Sequence, residues 1–201
     1  MIDSYLRKTY QTLFIDSWIK KSFFKNISPN LVTVIGCLLG VCSAIFFFYD
    51  YMLLATLLLI LSGFCDTLDG SIARSFHKES DAGSALDIVL DRIVEFSIVF
   101  SLYLKNPLER SLVTIWIMAG ILFCMVTFLV VAVFTKNRSS KSFHYSPGFV
   151  ERTEAFGFFI LMNVLPKLYF FIAWAFVILM FFTAYFRLYQ FIKQSDQPSV
   201  L

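Results

Sequence analysis

The chain has 201 residues, 58% of them hydrophobic and only 15% charged, with 25 Phe. Soluble domains run near half apolar and a quarter charged, so the composition excludes that class and indicates an integral membrane protein; no polar stretch is long enough for a separate soluble domain. The formal net charge of +3 is too small to suggest a nucleic-acid partner, and Cys37, Cys42, Cys65 and Cys124 all lie in apolar runs with no CxxC pair, which argues against a disulfide framework.

In chain order, the opening MIDSYLRKTYQTLFIDSWIKKSFFKN alternates charges with aromatics and lacks the apolar core of a signal peptide. Tyr5, Leu6, Leu13, Phe14 and Trp18 can share a rough apolar face beside Arg7, Lys8, Lys20, Lys21 and Lys25. That pattern predicts an amphipathic juxtamembrane helix over residues 1–27, lying in the membrane interface. Six apolar segments follow, at about 31–48, 52–64, 83–104, 112–134, 149–164 and 168–188. Pro29 suits the start of the first. The second is expected to continue as helix through Asp66. The expected fold is all-α, with six transmembrane helices in a single membrane domain, 1–201.

Six spans put both termini on one side of the bilayer. Of the 17 Lys and Arg, Lys105, Arg110 and Lys167 fall on the opposite side and the rest on the side of the termini. The basic side is expected to be cytoplasmic. Residues 65–92, CDTLDGSIARSFHKESDAGSALDIVLDR, lie on it.

That stretch carries four acids near membrane depth, where an uncompensated carboxylate is expensive. Asp66 and Asp69 are three apart, and Asp87 and Asp91 four apart, so each pair shares a helix face. If the two faces meet, the carboxylates converge and repel, and divalent cations remove the penalty. Carboxylate oxygens suit Mg²⁺ or Mn²⁺, here a pair of ions. Gly70 and Ala73 follow Asp69, and Gly83 lies one turn before Asp87. Glycine in a helix costs about 1 kcal/mol relative to Ala, which suggests a close approach to the backbone. Arg74 offers a bidentate group for phosphate. Together these residues fit a phosphate-bearing nucleotide. Acids in apolar helices also mark ion paths, so a cation-coupled transporter is the rival from another class.

The pattern Asp66-x-x-Asp69-Gly70-x-x-Ala73-Arg74, eight residues, Gly83-x-x-x-Asp87-x-x-x-Asp91 resembles the signature of the CDP-alcohol phosphatidyltransferases, and SPNLVT at 28–33 resembles that family's approach to its first span. The resemblance implies transfer of a phosphatidyl group from CDP-diacylglycerol to an alcohol hydroxyl, with release of CMP. It implies metal ligation by Asp66, Asp69, Asp87 and Asp91, with Asp91 also the general base. It further implies a CDP pocket that includes Gly70, Ala73, Arg74 and Gly83, and it leaves room for a homodimer.

For the acceptor, residues 136–156 supply Lys136, Arg138, Lys141 and Arg152 on the catalytic side, a cluster suited to an anionic alcohol. Glu151 and Glu154 flank Arg152 and could hold its guanidinium. GFVERTE resembles the ERxE segment of the inositol-phosphate-using branch, which favours inositol phosphate. Ala155 departs from that branch, and glycerol 3-phosphate stays open. His77 and His144 read as loop histidines. Glu95 reads as a partner of Arg92 or of a neighbouring helix rather than a metal ligand.

Overall fold

The computed structural model describes residues 25–134 and 152–195. Among them are six α-helices and no strand: α1 (Pro29–Phe48), α2 (Met52–Ser75), α3 (Asp81–Leu104), α4 (Pro107–Phe134), α5 (Arg152–Val164) and α6 (Tyr169–Ser195). A 3₁₀ turn, Pro166–Leu168, precedes α6. The N-terminal juxtamembrane helix expected over 1–27 falls almost wholly outside the described residues.

Among the described residues, four helical stretches are long and apolar enough to cross a membrane: α1, α2, α4 and the segment Pro166–Lys193. A helix of 24 residues, such as α2, is about 36 Å long, more than a bilayer core. Their outer faces are bare hydrocarbon, with Leu53 90% and Phe171 77% exposed. Such faces need lipid as their solvent, and the protein is an integral membrane protein. α3 has the length of a span but carries Asp81, Asp87, Asp91, Arg92 and Glu95. The described part of α5 is 13 residues long.

The described residues form two compact units, divided between Ser111 and Leu112. In the first, α1 packs against both α2 and α3. Ser28 is extended and Pro29 opens the helix, where its missing N–H costs nothing. The buried side of α1 runs Val32, Thr33, Gly36, Gly40, Ser43, Ala44 and Phe47, with a seam of small residues from Gly36 to Ala44. A Cβ on Gly36 would lie 2.9 Å from Cys65 Cβ of α2. One on Gly40 would lie 2.5 Å from a methyl of Val94 on α3 and 3.0 Å from Ser62 Oγ on α2. The seam therefore brings three helices together at their backbones, as small residues do between membrane helices. Ser43 Oγ adds a buried interhelical bond, donating to the Ala55 carbonyl at 2.7 Å.

Gly40→Ala is expected to destabilise the protein by about 1–3 kcal/mol, because Val94 is fully buried and branched at Cβ. The melting temperature of purified protein measures this, and an unchanged melt would mean that Val94 moves aside freely.

At one end of this unit α1 and α2 form a tight hairpin, with Asp50 at φ 63°. Asp50 Oδ1 accepts from Lys105 Nζ at 2.7 Å, which ties the hairpin to the end of α3. At the other end α2 closes over Phe76, His77 and Lys78. Phe76 N–H donates to Ile72 O, His77 takes a left-handed φ of 53°, and Lys78 N–H donates to Ala73 O at 2.9 Å. The six-to-one bond and the left-handed residue make a Schellman-type stop, usually served by Gly. His77 is thus the residue that turns the chain. Ser80 then caps α3, its Oγ accepting from Gly83 N–H at 3.0 Å, and Asp81 in the first turn suits the helix dipole.

In the second unit α5 packs on α6, with Phe158 and Phe159 both against Phe176 at ring separations of 5.2 and 5.5 Å. α4 meets α6 through Gly120 against Met180 and through Trp116 against Trp174 and Phe181.

Candidate active site

The first unit concentrates its acids on α2 and α3, where the apolar character of both helices gives way. Asp69 is 5% exposed, and Asp66, Asp87 and Asp91 are half-buried. One carboxylate oxygen from each of Asp66, Asp69 and Asp87 lies within 4.8 Å of the others. Two residues from α2 and one from α3 thus converge, as the three-residue spacing and facing helices require. Asp69 Oδ2 and Asp87 Oδ1 are shielded from solvent. The donor set is all carboxylate oxygen, partly dry and confined to two helices, and it fits a hard divalent cation such as Mg²⁺ or Mn²⁺.

Asp91 is outside that group of three, one turn along α3. A four-residue step advances about 6 Å along a helix, so Asp87 and Asp91 share a face without sharing a point. One turn further, Glu95 is 4% exposed and its Oε2 accepts from Arg92 Nη1 at 2.6 Å. The deepest acid of the stripe is thereby neutralised from its own helix, as its position beside Arg92 suggested.

Arg74 is exposed and folds back along α2. Its Nη2 donates to Ser71 Oγ at 3.4 Å, and a Cβ on Gly70 would stand 3.3 Å from Nη1. Side chains on a helix lean toward its N-terminus, so the missing side chain at Gly70 gives the guanidinium room on that turn. Ala73 is half-buried on the same turn. At Gly83 the space is taken by protein: a Cβ there would be 3.0 Å from both Asn30 Oδ1 and Ser80 Oγ. The start of α1 therefore abuts the start of α3.

Of the cationic cluster, Arg152 opens α5, half-buried, its guanidinium 5.2 Å from the Phe156 ring centroid. Glu154 follows in the first turn. Lys136, Arg138, Lys141, His144 and Glu151 lie outside the described residues.

Arg187 stands out only in the structure. It is 7% exposed, its Nη1 donates to the Cys124 carbonyl at 3.0 Å, and it lies over the Phe128 ring at 5.4 Å. The signal was an arginine at the end of an apolar run, where a charge calls for a partner; counted only toward orientation, it went unnoticed. The pair Gly36-x-x-x-Gly40 was equally available as a packing motif.

Carboxylates gathered on apolar helices define a membrane protein that handles cations or phosphoryl groups, and comparison with known proteins separates the two. The sequence model of the CDP-alcohol phosphatidyltransferase family matches residues 26–188, and the chain belongs to that family. It is an enzyme, a transferase of phospholipid synthesis. The chain is 29% identical over 147 residues to the inner membrane protein YnjF of Escherichia coli, covering 70% of this chain and 71% of that one. It is 37% identical over 78 residues to the archaetidylinositol phosphate synthase of Pyrococcus horikoshii, covering 39% and 42%. Against the phosphatidylinositol phosphate synthase of Cutibacterium acnes the identity is 34% over 105 residues, with 51% of each chain covered. The fold is similar to that of the Mycobacterium tuberculosis phosphatidylinositol phosphate synthase crystallised with CDP-DAG bound: TM-score 0.62, 20% identity, covering 87% of this chain and 89% of that one.

Proposed function

We propose that the protein transfers a phosphatidyl group from CDP-diacylglycerol to the hydroxyl of a phosphorylated alcohol, inositol phosphate being favoured, and releases CMP. The observation that carries this reading is the convergence of Asp66, Asp69 and Asp87, near the end of α2 and the start of α3. Asp66, Asp69 and Asp87 hold the divalent cations, with Asp91 at their margin. The cations, when bound, withdraw charge from the diphosphate. Arg74 and the open surface at Gly70 and Ala73 receive the CDP phosphates, with Gly83 at the rim. Asp91 takes the proton of the acceptor hydroxyl as its oxygen bonds to the lipid-side phosphorus. The bond from that phosphorus to the CMP oxygen breaks, and CMP leaves with the electron pair.

Lys136, Arg138, Lys141 and Arg152 are the acceptor's phosphate contacts in this reading. Two relatives whose names specify inositol phosphate products support that choice. The match across 26–188 supports one catalytic domain. With the six spans read from the apolar segments, the basic bias supports a cytoplasmic side for the site and both termini, and residues 1–27 lie in the interface. A second copy of the chain docking on the Phe-rich outer surface belongs to the same reading.

The test is CMP release by purified protein with CDP-diacylglycerol, Mg²⁺ and separate acceptors: inositol phosphate, glycerol 3-phosphate, serine, inositol and choline. Fastest release with inositol phosphate is the expected result. Preference for glycerol 3-phosphate would reassign the acceptor, and no release with any acceptor would remove the reading.

A further inference from the structure

The turn between the two aspartate-bearing helices is tied to a distant piece of chain by one side chain. Lys78 Nζ donates to the carbonyl of Lys25 at 2.6 Å and to that of Ile27 at 3.0 Å. These bonds span more than fifty residues of sequence and reach the lead-in to α1. Beneath them, Ile27 and Phe76 pack on the buried pair Val32 and Ile72. The ammonium lies 6.0 Å from the Phe76 ring centroid. The backbone of Lys78 is in turn fixed to α2, through its N–H on Ala73 O.

Asn30 approaches Gly83 and Ser80 at the start of α3. The lead-in to α1 is therefore bonded to the residues that follow the last turn of α2, and the first turn of α1 abuts the first turn of α3. Arg74 sits on that last turn, four residues before Lys78.

We infer that Lys78 is a positioning residue: by clasping the carbonyls of Lys25 and Ile27, it fixes the last turn of α2, and with it Arg74, for the diphosphate of the CDP-linked lipid. This rests on the function proposed above. An ammonium suits the task because it offers three donors on a flexible stem and can serve two carbonyls at once. The clasp also links the segment that leads into the membrane to the nucleotide end of the site, so a disturbance of one is felt at the other.

The experiment compares Lys78→Met, which keeps the stem and loses the donors, with Lys78→Arg, which keeps a cationic donor of similar reach. Both are assayed as purified full-length protein with Mg²⁺ and the best acceptor from the panel. For Lys78→Met, KM for CDP-diacylglycerol is expected to rise about five- to tenfold with kcat within about twofold, the split that marks lost binding rather than lost chemistry. Lys78→Arg is expected to bring KM back to within about twofold of the parent. Amide hydrogen exchange should accelerate in residues 25–32 and 73–80 together in Lys78→Met. Lys78→Gln serves for both measurements if the Met variant does not accumulate. Unchanged KM and exchange would overturn the inference, as would a loss confined to kcat or a rise in KM that Arg does not rescue. If the unmodified protein releases no CMP, the proposed function fails instead, and exchange still reports whether the clasp exists.

Discussion

Asp91→Asn is expected to stop transfer while leaving CDP-diacylglycerol bound. The amide is nearly the same size as the carboxylate and keeps the α3 stripe intact, but it cannot take the proton from an attacking hydroxyl. A positioned general base contributes about 10²–10⁴-fold, so kcat should fall by that range with KM for the lipid within about threefold. The geometry argues for separating Asp91 from its neighbours in this way. Asp66, Asp69 and Asp87 share a point within 4.8 Å, and Asp91 stands a turn away. A residue one turn from the point where the other three converge can lose its charge without emptying that point. CMP release and lipid binding, measured on the same preparation, decide the matter. Full activity would remove Asp91 from the role of base. Loss of lipid binding along with activity would place Asp91 among the groups that hold the substrate complex.

The polar stretch at 65–92 was readable because its chemistry and its period coincide. Spacings of three and four put acids on one helix face, and no apolar context tolerates them without a reason. α2 does run unbroken from Met52 through the acids to Ser75. What the spacing left open was how closely all four acids meet, because the rise along α3 separates Asp87 from Asp91 and only a placed partner helix decides which of them α2 faces. Gly83 signals a close approach to the backbone, and Asn30 of α1 stands beside it. That contact depends on how α1 packs, which no local pattern encodes. The same holds for Lys78, whose partners lie more than fifty residues upstream, and for His77, whose left-handed backbone is set by the stop of α2. Hydropathy shows where α1 is but hides its working face. Gly36 and Gly40 lower the hydropathy of the run slightly, and they are the residues that bring α2 and α3 to it.

Removing the divalent cation is expected to abolish turnover, and the aspartates should reveal why through stability as well as activity. Excess EDTA should reduce CMP release to background, with recovery on adding Mg²⁺ or Mn²⁺. Undiminished turnover in EDTA would remove the metal from the mechanism. In the absence of metal, Asp66, Asp69 and Asp87 repel one another, and Asp69 is the most buried of them at 5% exposure. Asp69→Asn relieves that repulsion while keeping size and shape. In EDTA the variant should therefore melt higher than the parent. Relief of about 1 kcal/mol corresponds to about 2–4 °C for a chain of this size. In saturating Mg²⁺ the order should reverse, because a ligand at 100 times its Kd stabilises the parent by about 2.7 kcal/mol and the weakened site gains less. The crossing of the two melting curves is the diagnostic. A purely structural acid cluster, satisfied by protein partners alone, gives no crossing: Asp69→Asn would then melt lower under both conditions, and added Mg²⁺ would move neither curve.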